Sequence, residues 1–215
     1  MLIIKDLKKS FGEKTVLQNI NLKCEKGKIC GIMGRNGSGK SVLFKCICGF
    51  MDYERGEILL NGVPLDNKCQ PQNNIDFIIE SPAFLPQYSG LKNLSILYSI
   101  NHRPNVEIIK DYMRRVGLDP ENYKRVEKYS MGMKQRLAIA QAIMDEPELL
   151  ILDEPFNGLD KEGVKEIRKL ILELKENKII LLASHNKEDI MLLCDEAFEL
   201  DRGCMSELSI EQPLV

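Results

Sequence analysis

The fold is decided by one stretch near the start of the chain, Gly34-Arg35-Asn36-Gly37-Ser38-Gly39-Lys40-Ser41. It matches the pattern G-x-x-x-x-G-K-[ST], in which glycines let backbone N–H groups curl around phosphate oxygens. An apolar strand pattern precedes it and a helical pattern follows from Val42. Lys40 can reach the terminal phosphates of a nucleotide, and the Ser41 hydroxyl can bind Mg²⁺. The stretch predicts a nucleoside-triphosphate site rather than an ordinary glycine-rich turn, and leaves kinases, GTPases and ATPases open.

A second chemical signal is the strand pattern Leu149–Leu152, which ends in Asp153 and Glu154. Because side chains alternate along a strand, these two carboxylates should point in different directions. One of them can then hold Mg²⁺ while the other faces an attacking water. The alternative is that the pair caps a helix. Together with the phosphate loop, the pair favours nucleotide hydrolysis.

Length and composition limit the class of protein. The chain has 215 residues, which is enough for one large domain or for a body with a subdomain. Its 30 basic and 32 acidic residues argue against a general nucleic-acid partner. No apolar run approaches the roughly 20 residues of a membrane-spanning helix, so we expect a protein of the cytoplasm. The 7 cysteines form no CxxC pair, and we expect reduced, mostly buried thiols.

The pattern of short apolar runs predicts an α/β fold. We predict a P-loop NTPase core with a mostly parallel sheet, an antiparallel N-terminal β-subdomain and an inserted α-helical subdomain. We predict one domain over 1–215, with a core at 1–81 and 130–215 and the helical subdomain at about 82–129. Predicted strands are Leu2–Ile4, Val16–Cys24, Ile29–Met33, Glu57–Leu60, Ile75–Ile79, Leu149–Leu152 and Ile179–Ala183, and predicted helices lie in Leu91–Val116 (broken at Pro104), Gly132–Met144, Gly163–Glu176 and Glu188–Cys194.

The segment Tyr129–Arg136 resembles the signature motif of ABC-type ATPases in a degenerate form. Gly158-Leu159-Asp160 and Ser184-His185 extend the resemblance over nearly the whole chain. Ser130 lies where a helix N-cap would sit, and Gly132 permits close backbone approach, so the segment could form a second phosphate-binding helix end. The resemblance implies a head-to-tail dimer, either a homodimer or a heterodimer. In it the signature residues, Ser130, Met131, Gly132 and Met133, contact ATP held by the partner.

The resemblance also implies roles for single residues. Glu154 resembles the general base, Asp153 the carboxylate that holds Mg²⁺ through water, and His185 the switch histidine at the γ-phosphate. Asp160 resembles the residue of the loop that crosses the dimer interface. Phe11 matches an aromatic residue that stacks on adenine, with Val16 nearby. The implied ATP contacts are Phe11, Val16, Gly34, Arg35, Asn36, Gly37, Ser38, Gly39, Lys40, Ser41 and Val42.

Four residues depart from the family pattern. Glu80 replaces a glutamine that touches Mg²⁺, and a carboxylate still supplies an oxygen ligand beside Ser41 and Asp153. Val42 replaces a threonine, which removes one hydroxyl contact to the nucleotide. Met131 and Met133 replace signature residues, which opens the possibility of an asymmetric heterodimer. The stretch Glu80–Pro86 resembles ATPases of bacitracin- and lantibiotic-type peptide exporters.

The resemblance implies an ATP-hydrolysing subunit of an ABC transporter, using ATP and Mg²⁺. Separate transmembrane permease subunits would move the substrate, in the direction of export. The subunit would lie on the inner face of the cell membrane. The alternatives are an ATP-sensing regulatory module with little turnover, a soluble ABC ATPase of DNA repair or translation, and a small-molecule kinase.

Overall fold

The computed structural model describes residues 1–65, 74–79 and 83–210, which form two β-sheets flanked by helices. Neighbouring strands of the larger sheet are parallel, except for an antiparallel hairpin at one edge. Its central strands are buried on both faces, which accounts for their continuous apolar sequence. The predicted α/β class with a mostly parallel sheet is confirmed. In spatial order the strands are β10 (Cys204–Leu208), β9 (Glu196–Asp201), β3 (Ile29–Met33), β8 (Ile179–Ala183), β7 (Leu149–Asp153) and β6 (Ile75–Ile78).

The smaller sheet is antiparallel throughout and contains the N-terminal strands, as predicted. The predicted strand Leu2–Ile4 was too short, because the strand continues past its charged residues to Phe11. The continuation passes an irregularity at Asp6, whose φ is 48°, where the register shifts. Gly56 lies against this irregularity on the neighbouring strand, where a Cβ would be 2.6 Å from the Cα of Leu7. In spatial order the strands are β2 (Lys14–Cys24), β1 (Leu2–Phe11), β4 (Arg55–Leu60) and β5 (Val63–Pro64).

The helices begin after residues that suit a helix N-terminus, either a polar residue whose side chain caps the first turn or, at one helix, a glycine. The predicted break at Pro104 is confirmed, since one helix ends before it and the next is capped by the Asn105 side chain. No helix in the described ranges is long and apolar enough to cross a membrane. The α-helices are α1 (Lys40–Ile47), α2 (Gly90–Asn101), α3 (Val106–Arg115), α4 (Met131–Met144), α5 (Lys161–Leu174) and α6 (Lys187–Leu193), with single 3₁₀ turns at Val126–Lys128 and Lys175–Asn177.

Two apolar clusters cover the two faces of the larger sheet. Leu150 and Leu152 of β7 belong to one cluster, which also contains the buried residues of α2, α3 and α5. Leu149 and Ile151 of the same strand belong to the other cluster, together with α1 and the smaller sheet. This alternation is the period-two pattern of a strand buried on both faces. The helices α2 and α3 therefore share a continuous core with the sheet.

The expectation that the cysteines are all reduced thiols was wrong for Cys24 and Cys30, which form a disulfide. The turn between β2 and β3 brings their Cα atoms to 6.1 Å, although the pair lacks the short spacing of a CxxC motif. Cys46, Cys48, Cys194 and Cys204 are free thiols. Burial raises the pKa of Cys46 to about 11 and that of Cys48 to about 12, so both stay protonated at neutral pH. Cys69 lies outside the described residues.

Candidate nucleotide-binding site

The phosphate loop lies between β3 and α1, and the side chain of Lys40 bonds back to the start of the loop. Lys40 Nζ donates hydrogen bonds to the carbonyls of Gly34, at 2.6 Å, and Arg35, at 3.3 Å. Gly37 and Gly39 have φ values of 80° and 112°, a region that residues with a Cβ rarely occupy. Lys40 is also buried, with 7% of its surface exposed to solvent. The loop thus holds an ammonium group and a helix N-terminus at one point, an arrangement that suits anionic phosphates.

A hydroxyl and a carboxylate meet next to the loop. Ser41 Oγ donates a 2.8 Å hydrogen bond to Asp153 Oδ2, which places the end of β7 against the start of α1. Both are hard oxygen donors, the ligand type that Mg²⁺ prefers, and Mg²⁺ takes its remaining ligands from phosphates and waters. These two residues therefore fit a magnesium ion shared with a bound nucleotide. Glu80, the third predicted ligand, lies outside the described residues.

Glu154 points away from Asp153 and contacts His185. Its Oε1 accepts a 2.9 Å hydrogen bond from the His185 backbone N–H, and its Oε2 lies 2.7 Å from His185 Nδ1. Glu154 has a φ of 52°, which is uncommon for a residue with a side chain. This backbone conformation turns the chain sharply at the end of β7. Because Glu154 follows the last residue of β7, this turn, and not alternation along a strand, gives the two adjacent carboxylates different partners.

The strand order explains why these residues meet. Strands β3, β8 and β7 are adjacent and parallel, so the segments after them lie at the same edge of the sheet. Ligands of open parallel sheets bind at this edge, beyond the carboxyl ends of the strands. An open cavity of about 700 Å³ is found there. Its lining includes Lys40, Ser41, Val42, Asp153 and Glu154.

The signature segment caps α4 and packs on the loop that follows β7. Ser130 Oγ accepts a hydrogen bond from the Met133 N–H at 3.2 Å, so Ser130 is the predicted N-cap. A Cβ on Gly132 would lie 2.9 Å from the carbonyl oxygen of Gly158. Met131 is 66% exposed, and its side chain lies over Gly158. The close backbone approach expected of Gly132 is therefore made within the chain itself.

Three other predicted site residues, Asp160, Val16 and Phe11, lie at three different places in the structure. Asp160 is exposed and caps α5, where its Oδ1 accepts a 2.9 Å hydrogen bond from the Gly163 N–H. Val16 lines the cavity. Phe11 ends β1 with 48% exposure, beneath the Lys9 ammonium, and is not among the described residues that line the cavity.

The sequence reasoning missed several residues near the cavity. Gln135 and Asn157 line it, and Gln135 Nε2 donates to the Pro155 carbonyl at 3.0 Å. The available signal was helical spacing, because Gln135 is four residues after Met131 and shares its face of α4.

An ion pair behind the His185 loop was also missed. Asp189 is 3% exposed and accepts hydrogen bonds from Arg168 Nε at 3.0 Å and from Ser184 Oγ at 2.9 Å. Burial opposes the charge of Arg168, but its hydrogen bonds to Asp189 and Glu188 outweigh that and raise its pKa. The pair fixes the residue that immediately precedes His185. No local pattern signalled it, since the partners lie on different helices.

Fold and cavity together define a nucleotide-binding protein of the P-loop class. A family model described as "ABC transporter" matches residues 17–157. The chain belongs to the ABC transporter family.

Relatives and solved structures agree with this assignment. The chain is 41% identical over 159 residues to "Uncharacterized ABC transporter ATP-binding protein YybJ" of Bacillus subtilis (strain 168), covering 74% of this chain and 73% of that protein. It is 43% identical over 155 residues to "Bacitracin transport ATP-binding protein BcrA" of Enterococcus faecalis, covering 72% of this chain but only 50% of that protein. The match thus spans half the length of this relative. It is 36% identical over 159 residues to "Lantibiotic transport ATP-binding protein SrtF" of Streptococcus pyogenes, covering 74% and 68%.

Two solved structures show the same fold over nearly the whole chain. One is described as "Structure of ATP binding subunit of ABC transporter", with a TM-score of 0.85 and 28% identity over 97% of this chain and 90% of that one. The other is a dimeric post-hydrolysis state of the cassette MJ0796 bound to ADP and Pi. Its TM-score is 0.86 at 22% identity, covering 97% and 99%.

Proposed function

We propose that this chain binds ATP with Mg²⁺ and hydrolyses it to ADP and phosphate. One observation carries the proposal: Ser41 with Asp153, and Glu154 with His185, meet beside the phosphate loop although they are far apart in sequence. The MJ0796 cassette, which has the same fold, is bound to ADP and Pi in its post-hydrolysis state, and this supports the same reaction here.

In this proposal Glu154 is the general base. The oxygen of a water attacks the γ-phosphorus, the bond to the β-phosphate oxygen breaks, and the water's proton passes to the carboxylate. Both oxygens of Glu154 contact His185, which orients the carboxylate. Lys40 and the loop amides would bind the phosphates, the Ser41 hydroxyl would bind Mg²⁺, and Asp153 would hold the ion through water. Bound Mg²⁺ supplies charge neutralisation at the phosphates.

We propose further that two such subunits associate head to tail. The signature residues, Ser130 to Met133, would contact ATP held by the partner, and Asp160 would lie at the interface. The exposed positions of Met131 and Asp160 support this arrangement, because both remain accessible in the single chain. The dimeric state of the MJ0796 cassette is a further support. The partner is either a second copy or a related chain.

The proposed membrane partner is a separate permease subunit that docks near α2. Leu85 and Tyr88 are exposed hydrophobic residues in the loop before α2. A cytoplasmic helix of the permease would cover this apolar surface on the inner face of the membrane. The names of the bacitracin and lantibiotic transport relatives suggest a peptide antibiotic as cargo. Export is the direction implied by the resemblance of Glu80–Pro86 to peptide-exporter ATPases.

The test is phosphate release by the chain with its membrane subunits, with and without Mg²⁺. We expect Mg²⁺-dependent turnover that Glu154→Gln reduces by at least about 100-fold while ATP still binds, because a general base contributes 10²–10⁴-fold. Glu173→Gln, on the exposed face of α5, is the matched control. An unchanged rate in Glu154→Gln would refute the assignment of the base.

One alternative has a specific observation in its favour. Met131 and Met133 stand where the family has signature residues that contact phosphate, so an ATP-sensing module with little turnover is a second candidate. Such a module would bind Mg²⁺-ATP with normal affinity and release no phosphate above the Glu154→Gln background. Measuring binding and phosphate release on the same preparation separates the two functions.

A further inference from the structure

The guanidinium of Arg136 lies at the meeting point of three helices. Arg136 belongs to α4, and its side chain is only 15% exposed. Its Nη1 donates a 2.6 Å hydrogen bond to the carbonyl of Val116, at the end of α3. Its Nη2 lies 2.7 Å from Glu166 Oε2, on α5. One side chain therefore joins the inserted helices, the signature helix and the helix that follows Asp160.

Two glycines form the slot that holds this guanidinium. A Cβ on Gly117 would collide with Arg136 Nη1, and a Cβ on Gly163 would lie 2.8 Å from Nη2. Gly163 is in the first turn of α5, although glycine is among the weakest helix formers. The slot therefore has one wall beside α3 and the other on α5.

The position on α5 connects Arg136 to the Asp160 loop. The Gly163 N–H donates the hydrogen bond that Asp160 Oδ1 accepts, and the same Oδ1 is 2.8 Å from the Cβ that Gly163 lacks. The guanidinium and the Asp160 carboxylate thus flank one residue. A cation is favourable at the C-terminal end of α3 but unfavourable at the N-terminus of α5, where Glu166 offsets it.

Other residues of α4 contact the same loop. Met131 packs on Gly158, and Gln135 binds the Pro155 carbonyl. These two residues attach α4 to the segment between Glu154 and α5, and Arg136 attaches it to α5 itself.

We propose that Arg136 is a positioning residue that holds the signature segment and the Asp160 loop in one fixed relation. The inference rests on the proposed ATPase function, because both segments would form the ATP-bound dimer interface. Arg136 touches none of the reacting atoms. Its effect should fall on turnover, which needs the assembled dimer, and should spare ATP binding at the phosphate loop of the single chain.

The main variant is Gly163→Ala in the full chain assembled with its membrane subunits. Alanine improves helix propensity, so a loss cannot come from a weaker helix. We expect kcat to fall roughly tenfold, while KM for ATP stays within about twofold of the wild-type value. This combination is expected when the lost interaction acts in the transition state and not in the binding of ATP. Arg136→Ala should lower kcat similarly. In the Arg136→Ala background, Gly163→Ala should cost less than it does in the wild-type chain, since Nη2 is gone and only the close contact with Asp160 Oδ1 remains.

A second measurement does not depend on hydrolysis. Hydrogen–deuterium exchange of the first turn of α5, in the nucleotide-free chain, should become faster in Arg136→Ala and stay unchanged in Arg125→Lys. Arg125 is the matched control because its side chain is 64% exposed and only weakly paired. Multiplicative losses in the double variant, or unchanged exchange in Arg136→Ala, would overturn the proposal. If the wild-type chain releases no phosphate, the proposed ATPase function fails, and the exchange experiment still decides the role of Arg136.

Discussion

Asp76 should make the protein less stable as the pH rises towards 7. It lies on the edge strand β6, opposite Leu150. Burial, reinforced by the negative charge of Asp145 and only partly opposed by Lys178, raises its pKa to about 7. We therefore predict that Asp76→Asn, which removes the charge at nearly constant volume, stabilises the protein above neutral pH.

The sign and size follow from proton linkage. The ordinary pKa of this carboxyl is 3.8, so the folded chain binds more protons than the unfolded chain between about pH 4 and about pH 7. Its free energy of unfolding falls across that window and stays low above it. The difference between the two pKa values corresponds to about 4 kcal/mol, an upper limit for the gain in Asp76→Asn at about pH 8.

The assay is urea unfolding followed by circular dichroism at about pH 4 and about pH 8. The stability difference between Asp76→Asn and the wild type should be near zero at the lower pH and several kcal/mol at the higher pH. Asp111→Asn, at an exposed position on α3, is the control and should change stability by less than about 0.5 kcal/mol at both pH values. An equal effect of Asp76→Asn at both pH values would refute the reasoning, since only ionisation makes it depend on pH.

Three further substitutions test the packing. Arg168→Ala leaves the carboxylate of Asp189 buried without its cation and should cost about 3–5 kcal/mol in urea unfolding. Ile171→Ala, at a fully buried position on α5, should cost about 2–5 kcal/mol in the same assay, and a cost below about 1 kcal/mol would contradict the described core. Gly56→Ala should lower the melting temperature measurably, because the φ of 110° and the contact with β1 both oppose a Cβ. Gly62→Ala has open space around it and should lower it less.

The phosphate loop and the carboxylate pair could be predicted because their chemistry requires particular residues close together in sequence. Phosphate binding needs the glycines, Lys40 and Ser41 within one loop, so the pattern can be recognised in a short stretch of consecutive residues. The carboxylates Asp153 and Glu154 are likewise adjacent in the sequence. The fold class could be predicted from the short apolar runs such as Ile29–Met33, Leu149–Leu152 and Ile179–Ala183, because parallel strands buried on both faces are continuous apolar runs.

The spatial order of the strands could not be predicted, because it depends on contacts across the whole chain. Strand β8 inserts between β3 and β7 although it follows both in sequence, and its pairing with β7 brings His185 against Glu154. The disulfide of Cys24 with Cys30 and the slot around Arg136 also depend on turns and on helix packing. Resemblance to a family suggested His185, but nothing local indicated Arg136.

The packing of α4 indicates how α2 and α3 are connected to the edge of the larger sheet at which the cavity lies. Its first turn carries the predicted signature residues and is exposed at Met131 and half-buried at Gly132 and Met133. Leu137–Met144 is buried, apart from Gln141, in the cluster that contains Leu150 and the buried apolar residues of α3. Because close-packed interiors transmit displacement with little compression, a shift of α2 and α3 must carry the buried end of α4 with it. Within the 14 residues of α4 no proline is present, and the one glycine, Gly132, lies in the first turn and packs against Gly158, so the start of the helix should move with its buried end. The packing thus makes Ser130 responsive to the position of the inserted helices, and Arg136 is the polar contact that sets that position relative to Asp160.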